Sequence, residues 1–167
     1  NLRTSTLYQA KVDIQDYYNS IYTHEITRLQ NRELCIDFFN EIEDKNKFIV
    51  FLNVLEQFNQ NLNNCQTNGI VTGPYSSYIT GELILLAIDY EMNNFLKTEI
   101  NIKNKSRLKY SRFVDDYSIY TDEENLIEIF IEQLDLILKK YSLKLNRQKI
   151  ERKSQGIFDR TPSSVKK

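Results

Sequence analysis

Cysteine, glycine and proline are scarce in this 167-residue chain, and tryptophan is absent. The chain has two cysteines, four glycines and two prolines. Cys35 and Cys65 stand singly and far apart, so their spacing predicts neither a zinc site nor a disulfide framework. Free thiols in a cytoplasmic protein are the simplest interpretation. Because glycine and proline are so few, a segment in which they cluster is expected to have a special backbone conformation.

The chain also has no long hydrophobic run and no excess of charge of either sign. The longest apolar run, residues 83–88, is far shorter than the ~20 residues that a membrane-spanning helix needs. Residues 1–10 contain no hydrophobic segment of a signal peptide. Lys and Arg number 22 and Asp and Glu 23, so the net charge is −1. This balance excludes a uniformly basic nucleic-acid coat, although it permits a local basic groove. We expect a cytoplasmic protein without a membrane partner.

The periodicity of apolar residues predicts one α+β domain. Hydrophobic residues make up 41% of the chain, an ordinary globular value. Strands are predicted near residues 8–14, as a pair within 108–120, and as short segments at 143–145 and 150–152. Helices are predicted near 33–43, 45–62, 77–96 and 123–141. In the helix at 45–62, the apolar residues share the spacing of one helix face. Without the extra helices after the first strand, the order is the split β-α-β-β-α-β unit. It forms a ferredoxin-like antiparallel sheet with helices on one face.

Three aspartates stand where the predicted strands end. Asp13 closes the first strand, and Asp115 and Asp116 form the expected tip of the central hairpin. Since these strands are neighbours in the split unit, Asp13 and Asp115 should meet at one edge of the sheet. Magnesium prefers carboxylate oxygens and accepts phosphate oxygens as further ligands. Two such ions can activate an attacking hydroxyl and stabilise a leaving oxygen. We therefore predict that Asp13, Asp115 and Asp116 bind metal.

The two adjacent aspartates are not equivalent candidates. Successive side chains on a strand point to opposite faces, so a regular strand would direct only one of them at the metals. A tight turn relaxes that limit, and we assign Asp115 as the firmer ligand and Asp116 as the second. An isolated Asp-Asp pair would more often be a plain hairpin turn, and the surrounding sequence decides between the two.

Four segments resemble, in the right order, the sequence motifs of reverse transcriptases. Residues 110–120 (YSRFVDDYSIY) resemble motif C, the aromatic-x-Asp-Asp box, and residues 12–21 (VDIQDYYNSI) resemble motif A. Residues 69–77 (GIVTGPYSS) resemble motif B, and residues 144–149 (KLNRQK) are similar to motif D. One such box alone would be weak evidence, whereas four in order over residues 8–152 form a specific pattern.

Within that family, the chain looks most like one prokaryotic group. Residues 20–24 (SIYTH) and the Gly-Pro of motif B resemble the abortive-infection (Abi-type) reverse transcriptases of antiphage defence. The resemblance implies an RNA-directed DNA polymerase, a nucleotidyltransferase that uses two Mg²⁺ ions, for which Mn²⁺ can substitute. Its partners would be deoxynucleoside triphosphates and an RNA or DNA primer-template. Template and primer stay open, because relatives of this type include polymerases that extend DNA without a template and from a protein primer.

The resemblance also implies roles for residues of motif A and motif C. Asp13 and Asp115 would bind both metals and Asp116 would assist, with the backbone carbonyl of Ile14 as a further oxygen ligand. Tyr18 matches the steric-gate position, where an aromatic ring clashes with a 2′-hydroxyl and so favours deoxynucleotides. A purely packing role is the alternative for this tyrosine.

Motifs B and D supply two further site candidates. Gly73, like Gly69, would allow close approach of the backbone to a base or a template strand. Thr72 stands where family members often have Gln, which leaves template contacts open. Lys149 would act as the general acid that protonates the pyrophosphate leaving group, and an ordinary surface lysine is an equally weighted alternative. We expect Asp89 to be a surface residue rather than a ligand.

The resemblance divides the chain and defines the competing functions. Residues 1–153 are assigned to a reverse transcriptase palm, with fingers and thumb of the parent chain largely absent, and residues 154–167 to a loose polar tail. Because the missing parts position primer, template and nucleotide, we expect the 167 residues alone to polymerise weakly or not at all. The main alternative is a non-catalytic nucleic-acid-binding or scaffold palm. A nucleotide cyclase would need a Gly-Gly-Asp/Glu-Glu-Phe hairpin, which the sequence lacks, and an RNA-binding module fits the Asp pair poorly.

Overall fold

A four-stranded antiparallel sheet is the centre of the fold. Its strands are β1 (Tyr8–Asp13), β2 (Lys109–Phe113), β3 (Asp116–Thr121) and β4 (Glu151–Ser154). They lie in the order β2-β3-β1-β4, and each neighbouring pair is antiparallel. This is the strand order of the split β-α-β-β-α-β unit. The predicted α+β class and ferredoxin-like topology are confirmed.

The computed structural model describes residues 7–32, 44–100 and 108–154, and of residues 99 and 100 only the backbone. The helix predicted at 33–43 lies outside these ranges. Of the predicted polar tail, only Ser154 is described, and it ends β4.

Five α-helices lie among the strands in the described part of the chain. They are α1 (Tyr17–Ser20), α2 (His24–Arg28), α3 (Lys45–Leu62), α4 (Tyr75–Phe95) and α5 (Asn125–Lys140). Two short 3₁₀ helices, Leu29–Asn31 and Arg147–Lys149, and a π-helical turn, Leu96–Ile100, complete the elements. None of the described helices is long and apolar enough to cross a membrane.

Buried and exposed side chains alternate along the central strands, so the sheet has a core face and an open face. Val12 and Tyr117 are buried, and they belong to one hydrophobic core together with the buried sides of α4 and α5. Lys11 and Asp116, one position away on the same strands, are exposed. The helices therefore cover one face of the sheet. The other face is open and polar, and it includes residues at the end of β1 and the start of β3.

The buried side of α3 agrees only in part with the predicted one. The helix has the predicted bounds, and Leu52 and Leu55 of the predicted stripe are buried, but Phe51, Phe58 and Leu62 are exposed. Glu56 and Asn59 are buried instead. The side-chain amide of Asn59 donates to Oγ1 of Thr80 at 2.8 Å. Because a buried amide must find a partner, this hydrogen bond helps set the rotation of α3 against α4, which periodicity alone did not indicate.

Candidate active site

Strand pairing brings the predicted aspartates to one edge of the sheet. Asp13, the last residue of β1, lies opposite Asp116, the first residue of β3. One step further, the backbone amide of Ile14 donates to the carbonyl of Asp115 at 3.3 Å. The turn between β2 and β3 consists of Val114 and Asp115, so Asp116 is a strand residue and not part of the tip as the sequence suggested.

The hairpin turn holds an unusual backbone conformation. Val114 has a φ of +53°, a left-handed value that is a genuine outlier for a β-branched residue. Such conformations persist only where the surrounding structure enforces them. The carbonyl of Val114 accepts a hydrogen bond from Nη1 of Arg112 at 3.0 Å. The strained residue Val114 thus directly precedes Asp115 in the turn and is tied to the Arg112 side chain.

Asp13 and Asp115 form a pair of interacting carboxyl groups. Partial burial raises the pKa of Asp115, and the charges of Asp13 and Asp116 and a hydrogen bond with the Asp13 side chain raise it further. Carboxylates that are close together repel each other when both are ionised. A cation placed between them would relieve that repulsion, so the end of the sheet is suited to bind positive charge.

The Asp13 carboxylate is contacted from the segment before β4. Nζ of Lys149 donates to Oδ2 of Asp13 at 3.0 Å, and Nδ2 of Asn146 lies 3.3 Å from the same oxygen. The backbone amide of Asn146 donates to the Asp13 carbonyl at 2.8 Å. The hydrogen bond to Asp13 raises the pKa of Lys149. The motif D segment therefore lies directly against motif A, with its lysine ammonium on the predicted metal ligand.

The donor set decides which metal the site could hold. In the part of the chain that the structure describes, no group of three or more His, Cys, Asp or Glu side chains is arranged to hold a metal ion. Asp13 and Asp115 nevertheless interact, and paired carboxylates suit Mg²⁺, which keeps several waters and takes phosphate oxygens as further ligands. The residues fit a substrate-completed magnesium site better than a cage built by protein alone. The assignment of Asp116 as a further ligand stays a prediction.

Tyr18 lies in α1 and is within electrostatic reach of Asp115. Its ring contacts that of Tyr17, with the centroids 5.3 Å apart, and it packs against the backbone of α4, where a Cβ on Gly81 would be 3.4 Å from it. Burial raises the pKa of Tyr18, and the charge of Asp115 adds to the effect. Tyr17 is buried, and its hydroxyl donates to the Gly81 carbonyl at 2.7 Å. Tyr17 therefore has the packing role, whereas Tyr18 is only partly buried and stays the candidate for the sugar-contacting position.

The motif B segment is joined to motif A through the backbone. The amide of Gly69 donates to the carbonyl of Ile21 at 2.8 Å, and the amide of Ile70 donates to that of Tyr18 at 2.9 Å. Gly69 has a φ of +83°, and a Cβ there would be 3.1 Å from the carbonyl oxygen of Asn19. Gly73, at φ +119°, has open space around the position of a Cβ. A side chain would therefore find space at Gly73 but would crowd the Asn19 carbonyl at Gly69.

Sequence reasoning missed one cluster beneath the hairpin turn. Arg112 is paired with Glu82 and Asp89 of α4, and the side chain of Asp89 is only 18% exposed. Asp89 is therefore not the surface residue that was expected. It accepts hydrogen bonds from the hydroxyls of Tyr110 and Tyr117 as well. A signal was available: Arg112 shares the alternating face of β2 with Tyr110, which places a charged residue on the core side.

A groove of about 640 Å³ lies on the open face next to the carboxylates. Its lining includes Lys11, Asp13, Phe113, Asp116 and Lys149. The ring of Phe113 is 80% exposed. Cationic, carboxylate and aromatic groups thus border the same depression.

Solved structures of telomerase share this fold. The chain matches apo telomerase from Candida tropicalis with a TM-score of 0.65 and 15% identity, over 92% of this chain and 29% of the telomerase chain. Telomerase from Candida albicans, in complex with the TWJ fragment of telomeric RNA, matches with a TM-score of 0.60 and 15% identity, over 92% and 28% of the chains. The corresponding complex from Candida tropicalis gives a TM-score of 0.62 and 13% identity, over 93% and 27%.

The extent of these matches limits them to the fold. The chain spans less than a third of the telomerase chains just described. No family model matches the sequence, and no curated protein does so. The chain therefore has a reverse-transcriptase-like fold, similar to one part of telomerase.

Proposed function

We propose that this chain is the catalytic palm of a DNA polymerase of the reverse transcriptase type. The observation that carries the proposal is the interaction of the Asp13 and Asp115 carboxyl groups where β1 and β3 pair. The likeness to telomerase supports the fold, and the four motifs support the chemistry. The substrate class would be deoxynucleoside triphosphates, with a nucleic-acid primer-template or a protein hydroxyl as the end that is extended.

The carboxylates would hold two magnesium ions, with Asp13 and Asp115 as principal ligands, Asp116 assisting and the Ile14 carbonyl as a further oxygen donor. Bound magnesium lowers the pKa of an attacking hydroxyl and neutralises charge on the leaving pyrophosphate. The chain's own contribution is to orient the two carboxylates, because a pre-set charge arrangement needs no reorganisation during the reaction.

In the proposed reaction, the oxygen of a 3′-hydroxyl attacks the α-phosphorus of the nucleotide. A phosphodiester bond forms, the bond to pyrophosphate breaks with in-line geometry, and the proton of the hydroxyl passes to solvent. Lys149 would donate a proton to the pyrophosphate as general acid. Tyr18 would lie under the sugar and exclude a 2′-hydroxyl, while the open backbone at Gly73 would admit the base or the template strand.

The motif variants favour the Abi-type group within this function. We therefore extend the proposal to antiphage defence, with synthesis either on a template or without one. Fingers and thumb from the same parent protein would complete the binding of primer and nucleotide. The assignment to the Abi-type group is based on the sequence at residues 20–24 together with the Gly-Pro of motif B.

Nucleotide incorporation by the full-length protein tests the proposal. The protein is given Mg²⁺ and labelled deoxynucleotides, with and without an RNA template and primer, beside the Asp115→Ala/Asp116→Ala double variant. Incorporation that needs both template and aspartates would establish a reverse transcriptase. Aspartate-dependent incorporation without template would support the untemplated polymerase. Absence of incorporation by the wild type under all conditions would contradict the proposal.

A non-catalytic nucleic-acid-binding or scaffold palm is the second candidate. It is favoured by the ammonium of Lys149, which lies on the Asp13 carboxylate where a catalytic cation would bind. The same double variant separates the two functions. A scaffold would bind an oligonucleotide equally well with and without Asp115 and Asp116, and neither protein would incorporate nucleotide.

A further inference from the structure

Arg112 connects the hairpin turn to α4 through four hydrogen bonds. Its Nε donates to Oδ2 of Asp89 at 2.7 Å. Nη1 and Nη2 donate to the two carboxylate oxygens of Glu82 at 3.1 and 3.2 Å, and Nη1 also donates to the Val114 carbonyl at 3.0 Å. One planar guanidinium thus holds two carboxylates of a helix and one backbone carbonyl of the turn.

The cluster is shielded from water, which strengthens its hydrogen bonds. The side chains of Arg112, Asp89 and Glu82 are 10%, 18% and 24% exposed. At low local dielectric, charge-assisted hydrogen bonds are stronger, and a partner left unsatisfied costs more than at the surface. The arrangement also depends on the fork of an arginine, since a lysine has a single nitrogen and cannot reach three acceptors in these directions.

The contact to Val114 falls on the strained part of the turn. Val114 is held at a φ of +53°, and the next residue is Asp115, whose carbonyl accepts from the Ile14 amide at 3.3 Å. We propose that Arg112, held by Glu82 and Asp89, is a positioning residue that maintains the Val114 turn and thereby places the Asp115 carboxylate beside Asp13. The role of Arg112 in the turn does not depend on the proposed function, and only its effect on catalysis rests on that function.

Hydrogen exchange tests the positioning role without any activity measurement. In Arg112→Lys, the protected amides of Ile14, which donates to the Asp115 carbonyl, and of Asp116, which pairs with Phe113 across the turn, should exchange about tenfold faster than in the wild type, because a hydrogen bond to a charged group is lost at the turn. Glu82→Gln, which keeps the shape of the side chain and removes its charge, should give a smaller increase at the same amides. Both are measured in the full-length protein without metal.

Arg32→Lys is the matched control. Arg32 is 24% exposed and donates to Glu25 at 2.8 Å and to the Lys140 carbonyl at 2.7 Å, so its replacement removes a comparable set of contacts elsewhere. It should leave exchange at Ile14 and Asp116 unchanged. Equal exchange at the turn in Arg112→Lys and the wild type would overturn the proposal, as would equal acceleration in Arg112→Lys and Arg32→Lys. If Arg112→Lys does not fold, Glu82→Gln provides the test, and unchanged exchange at the turn amides in that variant would overturn the proposal.

A titration of incorporation with Mg²⁺ provides the functional arm. Arg112→Lys should need more Mg²⁺ for half-maximal rate than Arg32→Lys, because its two carboxylates are less well placed. Faster exchange at the turn with an unchanged Mg²⁺ requirement would overturn the catalytic part of the inference. If the wild type incorporates nothing, the proposed function fails, and the exchange data still decide whether Arg112 sets the turn.

Discussion

Nζ of Lys149 donates to Oδ2 of Asp13 at 3.0 Å. The two residues come from the motif D and motif A segments, and β1 lies between β3 and β4 in the sheet. The ammonium of Lys149 is therefore paired with the carboxylate that a divalent cation would bind. Binding of a cation at Asp13 should compete with this ion pair and displace the Lys149 side chain.

Replacement of Lys149 tests that competition. Lys149→Met should lower the Mg²⁺ concentration that gives half-maximal incorporation, because no ammonium competes for Asp13. It should also lower the maximal rate about 100-fold if the general acid is lost. Both constants come from one Mg²⁺ titration of incorporation. Lys153→Met, which removes another exposed lysine, is the control, and identical behaviour of the two variants would contradict this prediction.

The raised pKa of Asp115 predicts a gain in stability when its charge is removed. A carboxyl whose pKa is raised binds its proton more tightly in the folded state than in the unfolded state. Ionisation of Asp115 therefore destabilises the fold as the pH rises above about 3.9, the ordinary pKa of Asp. Asp115→Asn should raise the Tm of the metal-free protein at pH 7 by ~1–3 °C, and this gain should disappear towards pH 3.

Thermal unfolding of both proteins at several pH values measures this difference. Asp44→Asn is a useful counterpart, because Lys47 lowers the pKa of Asp44, so the ionised form stabilises the fold. That variant should not gain stability at pH 7. A Tm of Asp115→Asn at or below that of the wild type at neutral pH would show that the carboxylates are not in conflict.

The position of Tyr18 predicts the choice of sugar. Tyr18→Val should raise the incorporation of ribonucleotides relative to deoxynucleotides about tenfold or more, because space opens beside the 2′-carbon. The ratio of kcat/KM for the two nucleotides measures it. Tyr90→Val, an exposed tyrosine on α4, should leave the ratio unchanged. An unchanged ratio in the Tyr18 variant would assign that ring to packing alone.

Gly69 is predicted to be intolerant of a side chain. Gly69→Ala should lower the free energy of unfolding by about 1–2 kcal/mol from the left-handed backbone alone. The added Cβ would also lie 3.1 Å from the carbonyl oxygen of Asn19, which adds to the loss. Urea unfolding measures the change, and an unaltered midpoint would mean that the contact between motifs A and B can relax freely.

The order of the strands and of the three long helices could be predicted from the sequence because it depends on local periodicity. The short helices α1 and α2 were not predicted, since four or five residues are too few to show a helical period. Alternation from Tyr8 onward predicted β1, and helical spacing predicted α3 with the bounds that the structure has. Periodicity gave the buried side of α3 only in part: it identified Leu52 and Leu55, but not Glu56 and Asn59, whose burial depends on their partners. The helix predicted at 33–43 lies outside the described residues.

The candidate site could likewise be predicted from the sequence only in part. Asp13 and Asp115 could be singled out because they stand where predicted strands end. Lys149 could be singled out because it belongs to one of four motifs that occur in the order typical of reverse transcriptases. The network of Arg112, Glu82 and Asp89 went unnoticed, since its members are far apart in the chain and look like ordinary surface charges.

The sequence by itself determined the α+β class and the order of the strands and of the three long helices, and it singled out the carboxylates for which a catalytic role is proposed. It could do so because these depend on residue type and on short-range periodicity. Only the tertiary structure decided that Val114 and Asp115 form the turn, that Lys149 contacts Asp13 and that Arg112 joins the turn to α4. The physical reason is that long-range pairing, register and burial create these contacts, and none of the three is encoded within a single segment.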